Sequence, residues 1–326
     1  MGKVLPCIRV EINTEPLRVS RQTEPDSAGT LFSQARFVNA IVQAMGNSCR
    51  SIELRSETCR SSIFGVETVH SYGRRSVALA PFDLYAHPSG PGDLDAALTD
   101  ILRELKTLST ATFHWSVRFD HAELAEALAR RGLPFSRPAT HVLPLNGDYE
   151  TSFAKFSSTA RRHVRRAQSD GVVVRCAHDA DDIRAYYEVH TRLAAAKGNY
   201  RSIYPKAMFD ELVKLDKDVV FVVAEVQKKI AGGAWFFRDG RTMLYWHGAM
   251  DREYSRYYPS YAIQAYAIRM AHEEGRTVFN FGGSVGIASL ERFKSAFGAE
   301  PQCCWYFSWQ NPLWRTLRYV RRAFSF

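Results

Sequence analysis

The chain has 326 residues, 46% of them hydrophobic and 24% charged, and Lys and Arg outnumber Asp and Glu by 43 to 34. Because a typical domain has roughly 100 to 200 residues, this length favours two folded domains, and the composition argues against a disordered chain. The net charge of +9 favours polyanionic partners such as nucleic acid, phosphorylated substrates or membranes.

Targeting and metal-binding signals are weak. No stretch reaches the roughly 18 to 20 apolar residues that a membrane span needs, and the N-terminal run MGKVLPCIRVEINTEP lacks the apolar core of a signal peptide. We therefore expect a cytoplasmic location. The six cysteines form no C-x-x-C pair, which predicts reduced thiols and no metal site.

The first half predicts a loose alternation of helices and strands. The helices fall at 31–45, 94–108 and 122–131, and the strands at 51–55, 62–70, 76–80, 113–119 and 141–145. The end of the last strand, near Asn146, is the expected domain boundary.

The second half is easier to interpret. A strand at 172–176 precedes helices at 179–197 and 205–215, and a meander of strands follows at 219–226, 230–237 and 242–249. Pro259 opens a helix that Gly275 closes, and the remaining elements are a strand at 277–281, a helix at 289–298 and a strand at 302–308. Both halves thus predict one mixed α/β (α+β) unit, in domains 1–147 and 148–326.

Several segments of the second half together resemble the Fem-type aminoacyltransferases and their acyltransferase relatives. In order, they are FAKFSSTARRHVRRAQSDGVVVRCA, LYWHGAM, FNFGGS and LERFKSAFGAEP. The resemblance covers about residues 140 to 310, and it is faint in the first half, where LFSQARFV and APFDLYAHPSGP carry it.

This resemblance implies two tandem GNAT-like domains, each with a mixed, largely antiparallel sheet flanked by helices, the first of them degenerate. It also implies transfer of an amino acid from aminoacyl-tRNA to an amine, on a peptidoglycan precursor or a natural-product intermediate. Some relatives use other acyl donors, so the reaction type is implied more firmly than the substrate.

Two positions depart from the expected pattern. GNAT acetyltransferases hold the coenzyme A pyrophosphate on a glycine-rich turn at a helix N-terminus, but here that turn reads DREYSRYYPSYAI, without glycine. This weakens the case for acetyl-CoA bound in the usual GNAT way. Asn280 stands where relatives often have Asp, which weakens a general-base role there but keeps a polar substrate-binding candidate.

Lys294 is the leading catalytic candidate, with Phe293 beside it. In the family, the lysine of the matching F-K pair is proposed to contact the aminoacyl ester or its oxyanion, and a cation beside developing negative charge is usually a large catalytic contribution. Without the resemblance, a lysine on a short amphipathic helix is usually a surface residue.

Four further residues are substrate-binding candidates. The resemblance places an acceptor-binding tyrosine near Tyr245 and phosphate-binding residues near Arg201 and Tyr204. His247 has the residue type of a general base, but the family is thought to work without one, so a hydrogen-bonded core histidine is the alternative.

Basic clusters supply candidate phosphate contacts. Arg161, Arg162, Arg165 and Arg166 fall within two helical turns, which favours tRNA binding, although a solvated helix is the alternative. The C-terminal run LWRTLRYVRRAF predicts an amphipathic basic helix. Three interpretations of this helix stay open: packing on the protein, contact with tRNA, or a peripheral membrane contact.

The sequence therefore favours an aminoacyl-tRNA-dependent aminoacyltransferase acting on a small-molecule amine, with no metal, no resident cofactor and no DNA partner. One alternative is an N-acyltransferase that uses acyl-CoA or an acyl carrier on an amino sugar or similar amine. A second is a non-catalytic RNA-binding or membrane-surface protein.

Overall fold

The computed structural model describes residues 11–12, 30–56, 58–70, 74–90, 92–108, 111–196, 204–284 and 286–314. The chain divides into two compact units: Met1–Pro138 together with Cys304–Phe326, and Ala139–Cys303. Each unit contains one seven-stranded mixed sheet flanked by helices. The expected fold class, two mixed α/β units, is confirmed.

The N-terminal part follows the predicted alternation closely. Its elements are β1 (Glu11–Ile12), α1 (Ala35–Met45), β2 (Cys49–Ser56), β3 (Ser61–Val69), β4 (Arg75–Leu79), α2 (Leu94–Leu108), β5 (Thr112–Val117), α3 (Ala122–Arg130) and β6 (Phe135–Ser136).

The rest of the chain adds two helices that the sequence pattern had not bounded, α4 and α5. Its elements are β7 (Ala139–Pro144), α4 (Tyr149–Lys155), α5 (Ser158–Ser169), β8 (Val173–Cys176), α6 (Ala180–Ala196), α7 (Lys206–Leu212), β9 (Val219–Val226), β10 (Lys229–Asp239), β11 (Thr242–Met250), α8 (Pro259–Glu273), β12 (Val278–Gly283), α9 (Ala288–Ser295), β13 (Glu300–Cys303) and β14 (Trp305–Gln310). The new helices have polar N-caps: the side chain of Asp148 accepts from Thr151 N, and that of Ser157 accepts from Ala160 N.

The two sheets share one strand pattern. The first has the order β1-β2-β3-β4-β5-β14-β6. The second, taken from its other edge so that the two can be compared, has the order β8-β9-β10-β11-β12-β7-β13. In each sheet the described strands form one parallel pair, β4 with β5 and β11 with β12, and all their other pairs are antiparallel. The structure thus repeats one mixed, largely antiparallel unit, as the sequence predicted.

Two strands pair differently from the expected division at residue 147. β7 was expected to end the first domain but lies between β12 and β13 of the second unit's sheet. The strand expected at 302–308 divides at Cys304, so that β13 stays in the second sheet and β14 lies between β5 and β6 of the first. Alternating apolar residues reveal a strand but not its partner, because pairing is decided by contacts distant in sequence.

One apolar core of the second unit lies on the face of its sheet covered by α4, α5 and α8. Fully buried members include Leu143, Phe156, Val222, Phe236, Ile268 and Phe279. The other face is covered by α6 and α7, whose buried side chains include Tyr186 and Phe209. Among the helices within the described ranges, none is long and apolar enough to cross a membrane.

We expect a fragment of residues 139–303 to fold cooperatively, whereas a fragment of 148–303 should not. The shorter fragment lacks β7, so it leaves β12 and β13 without their shared neighbour and removes the buried Leu143 and Leu145. Each buried leucine contributes about 1.5 to 3 kcal/mol. Circular dichroism melts of the two fragments test this, and equal, cooperative melting would contradict the role of β7.

Candidate active site

A gap between β11 and β12 lies at the centre of the second sheet. The two parallel strands pair only from Thr242–Val278 to Leu244–Asn280, although β11 continues to Met250 and β12 to Gly283. Beyond Leu244 and Asn280 these strands no longer pair with each other. Backbone and side-chain groups along the gap are therefore available to bind a ligand.

A β-bulge at Trp246 determines which side chains face each side of the sheet. Phe236 pairs with Tyr245 and Trp235 pairs with His247, so Trp246 is the extra residue on β11. As a result, Tyr245 packs against the core beneath α8, whereas His247 lies on the opposite face with Tyr186. The sequence placed Tyr245 and His247 two residues apart on one strand, which would normally put them on one face.

Lys294 is buried, with only 3% of its surface exposed, although it lies on the short helix α9. Its ammonium donates to the carbonyl oxygen of Gly282 at 2.8 Å and to that of Gly283 at 2.6 Å. An ammonium has three N–H groups, so one remains for a ligand. Burial lowers the pKa of Lys294 to about 8, and the nearby Glu291 carboxylate opposes this shift only in part.

The glycines at the end of β12 permit this contact. Gly282 has a φ of +71°, a left-handed conformation that disfavours other residues. A Cβ at that position would also lie 3.1 Å from the carbonyl oxygen of Tyr245. Phe293, the neighbour of Lys294, packs against Tyr261 with ring centroids 5.1 Å apart and fixes α9 on the core.

Asn280 lies at the point where β11 and β12 separate, and its side chain is fully buried. Its Oδ1 accepts hydrogen bonds from Thr140 Oγ1 at 2.6 Å and from the Gly282 N–H at 2.8 Å. Asn280 and Lys294 therefore bind the two ends of the same residue, Gly282. The sequence predicted Asn280 as polar and substrate-binding but did not indicate Thr140.

His141 is a buried residue near Lys294 that the sequence analysis missed. It lies on β7, and its pKa is lowered first by burial and then by the positive charge of Lys294. A neutral imidazole is therefore favoured beside the ammonium. No local motif marks His141, because it reaches Lys294 only through the pairing of β7 with β12 and β13.

Tyr245 lies beside the strand gap on the α8 face. Burial raises the pKa of its hydroxyl to about 12, so the phenol stays protonated near neutral pH. Its hydroxyl group lies over Gly248, where a Cβ would be only 2.5 Å away. The conformation of Tyr245 thus depends on a glycine three residues later.

His247 belongs to a cluster of aromatic and imidazole rings on the α6 and α7 face. Its Nδ1 is 2.6 Å from the Tyr186 hydroxyl, and its ring is 4.8 Å from that of His190 and 5.2 Å from that of Tyr204. Burial lowers the pKa of His190. Both Tyr186 and His190 are buried residues of α6.

The four candidate arginines on α5 do not behave alike. Arg161 donates to the backbone carbonyls of Ala154 and Phe156, so it serves the end of α4. The other three are exposed: Arg162, Arg165 and Arg166. The predicted phosphate contact Arg201 and the basic C-terminal residues 315–326 lie outside the described residues.

The turn before α8 contains aromatic side chains where the usual GNAT turn has glycines. Tyr258, the N-cap residue of α8, has a φ of +56° despite its large side chain. Its ring stacks on His163 of α5 at 3.9 Å, with an interplanar angle of 9°. The Arg166 guanidinium lies 5.9 Å from the Tyr258 ring, so α5 is fixed beside the N-terminus of α8.

In the second unit, Lys294 and Asn280 thus both bind Gly282 at the end of β12, and Tyr245 lies on β11 on the face beneath α8. His247 and Tyr204 lie on the opposite face of the sheet, and the exposed arginines lie on α5. Among the described residues, no cluster of His, Cys, Asp or Glu is arranged to hold a metal ion.

Residues 154–295 match the acetyltransferase (GNAT) domain family. The second unit is therefore a GNAT-type acyltransferase domain, and the chain is an acyltransferase. A search of curated proteins finds no significant match to the chain.

Solved structures extend the likeness to the whole chain. FemX superposes with a TM-score of 0.66 at 15% identity, covering 88% of this chain and 94% of that one. The C-terminal domain of a putative lysylphosphatidylglycerol synthetase from Agrobacterium fabrum gives 0.59 at 15% identity, covering 88% and 90%. A tandem GNAT protein from the clavulanic acid biosynthesis pathway gives 0.51 at 11% identity, covering 85% and 88%. The chain thus shares its fold, two tandem GNAT-like units, with these structures.

Replacing Lys294 with Met should stabilise the fold near neutral pH, because it removes an ammonium that burial disfavours. The folded pKa of about 8 lies below the usual 10.5, so the unfolded chain binds more protons between these values. The free energy of unfolding of the parent protein should therefore rise, relative to that of the Lys294→Met variant, as the pH increases from about 8 to 10.5. Below about pH 8 the difference between the two proteins should stay constant. Denaturant unfolding of both proteins across this range provides the measurement, and parallel curves would contradict the assignment.

Proposed function

We propose that this protein is an aminoacyl-tRNA-dependent aminoacyltransferase that forms an amide bond on a small-molecule amine. The observation that carries the proposal is the buried Lys294 ammonium, held at the strand gap by two carbonyl groups and with an N–H left for substrate. Such a cation favours a reaction in which negative charge develops on an oxygen atom.

In the proposed reaction, the acceptor amine attacks the carbonyl carbon of the aminoacyl ester. The carbonyl oxygen becomes an oxyanion, to which Lys294 donates a hydrogen bond. The bond between that carbon and the ribose oxygen then breaks, the amine nitrogen loses a proton, and the departing tRNA hydroxyl gains one. The pKa of Lys294 is about 8, so at pH values below 8 the side chain is mostly protonated. It therefore acts as a hydrogen-bond donor near neutral pH.

Two features favour tRNA as the donor. Tyr258 and His163 stack where a glycine turn would otherwise admit a pyrophosphate at the N-terminus of α8. Arg162, Arg165 and Arg166 provide exposed positive charge on the adjacent helix α5, which suits a polyanionic nucleic acid. Of the basic clusters predicted from the sequence, this is the one that lies within the described residues.

A second candidate is an N-acyltransferase that uses acyl-CoA or an acyl carrier on an amino sugar or similar amine. The match of residues 154–295 to an acetyltransferase family favours it, as does the likeness to the tandem GNAT protein from the clavulanic acid biosynthesis pathway, whose structure was solved without AcCoA. The two candidates share Lys294 and the amine acceptor and differ only in the donor.

The donor is tested by incubating purified protein with a mixture of charged tRNAs carrying labelled amino acids, together with candidate amines. We expect label to leave tRNA and appear in an amide, and ribonuclease treatment of the charged tRNA to abolish transfer. Transfer that resists ribonuclease and proceeds with acyl-CoA alone would reject the tRNA donor in favour of the second candidate.

Two sets of variants separate catalysis from donor binding. Lys294→Ala should lower kcat by roughly 100-fold or more while tRNA affinity is largely kept, because one oxyanion donor is lost. Arg162→Ala/Arg165→Ala/Arg166→Ala should instead weaken tRNA binding and flatten its salt dependence. Arg161→Ala is the matched control on the same helix, since Arg161 serves the end of α4.

Filter binding at several salt concentrations and single-turnover kinetics provide the two readouts. In a non-catalytic RNA-binding protein, only the triple arginine variant would change the measured behaviour. An unchanged single-turnover rate in Lys294→Ala would therefore reject the enzymatic role of Lys294.

A further inference from the structure

The orientation of the Asn280 side chain is fixed by its neighbours. A backbone N–H can only donate, so the atom of Asn280 that faces the Gly282 N–H must be the carbonyl oxygen Oδ1. The Thr140 hydroxyl donates to the same oxygen. The amide nitrogen Nδ2, with two N–H groups, is therefore directed away from both contacts.

Nδ2 is buried and has no hydrogen-bond partner among the described residues. Asn280 is 0% exposed, and a buried donor left unpaired destabilises a folded protein. A buried donor without a partner requires an explanation, and a bound ligand would supply the missing acceptor.

The backbone of Asn280 lies beside the strand gap. Asn280 and Leu244 form the last pair between β11 and β12, so this residue marks the closed end of the gap. Lys294 binds the carbonyl oxygen of Gly282, whose N–H binds Asn280. The two side chains are therefore positioned by the same residue at one end of the gap.

Ser284 adds a further buried hydroxyl close by in sequence. It is 2% exposed, and its Oγ also has no partner among the described residues. The short stretch from Asn280 to Ser284 thus carries two polar groups without partners and both carbonyls that hold Lys294. This concentration favours a ligand with a hydrogen-bond-accepting oxygen.

We propose that Asn280 is a substrate-binding residue that donates a hydrogen bond, through Nδ2, to the carbonyl oxygen of the acyl group being transferred. The amide neither gains nor loses a proton during the reaction. It contacts the oxygen in the ester, in the tetrahedral intermediate and in the amide product, and the contact strengthens as the oxygen becomes negative. The inference rests on the proposed acyl transfer but not on the identity of the donor.

The decisive variant is Asn280→Ala, which removes the donor Nδ2 together with Oδ1. We expect kcat/KM for transfer to fall roughly 100-fold or more, mainly through kcat. Thr140→Val is the matched control, because it removes a contact to Oδ1 and leaves Nδ2 intact. We expect it to lower kcat/KM by less than about tenfold.

Thermal melts of each variant accompany the kinetics. If Asn280→Ala does not fold, Asn280→Leu, which keeps the side-chain volume but has no donor, is compared with Thr140→Val in its place and must lower kcat clearly more. A kcat/KM for the folded Asn280→Ala variant close to the parent value, or an equal loss in Thr140→Val, would overturn the role of Asn280 and leave the proposed function standing. Absence of any transfer by the parent protein would overturn both.

Discussion

The site depends on one interaction, the buried ammonium of Lys294 held by the carbonyl oxygens of Gly282 and Gly283. Lowering a lysine pKa from 10.5 to about 8 corresponds to on the order of 3 kcal/mol against the charged form in the folded state. A carboxylate partner would relieve this cost, but it would also neutralise the charge that a developing oxyanion needs. The structure instead uses two backbone dipoles, which hold the ammonium without neutralising it, and this requires the left-handed conformation of Gly282 at the end of β12.

The gap between β11 and β12 and the bulge at Trp246 extend the effect of that interaction. Because the strands separate after Leu244 and Asn280, β11 does not pair with Gly282 and Gly283, and the carbonyl groups of these two glycines bind Lys294. The bulge turns His247 to the opposite face, so the α8 face of β11 presents Tyr245. The α8 face of β11 thus presents a protonated phenol, and the other face presents imidazoles and aromatic rings.

Much of this fold follows from the sequence, and the reasons are local. Apolar alternation and turn residues predicted β9, β10 and β11, and Pro259 and Gly275 marked the limits of α8. The exchanged positions of β7 and β14 could not be predicted, because each depends on a partner distant in sequence. Lys294 was found through its resemblance to a family pattern, since its own helix looks like a surface helix. His141, Thr140 and Tyr186 carry no local signal, and they become part of the site or its surroundings only through strand pairing and helix packing.

The stacked pair of Tyr258, which precedes α8, and His163, which lies on α5, connects the electrostatics of the site to the choice of donor. A helix N-terminus attracts an anion only when the anion can approach the backbone N–H groups, and here Tyr258 caps that end while its ring stacks on His163. The positive φ of Tyr258 costs energy that the stacking helps to offset, so this arrangement excludes a close phosphate at the expense of local strain. Under the proposed function, the exposed arginines of α5 supply positive charge for the phosphates of the donor. A nucleic acid whose reactive end alone enters the strand gap would then suit this arrangement better than a compact pyrophosphate bound at the N-terminus of α8.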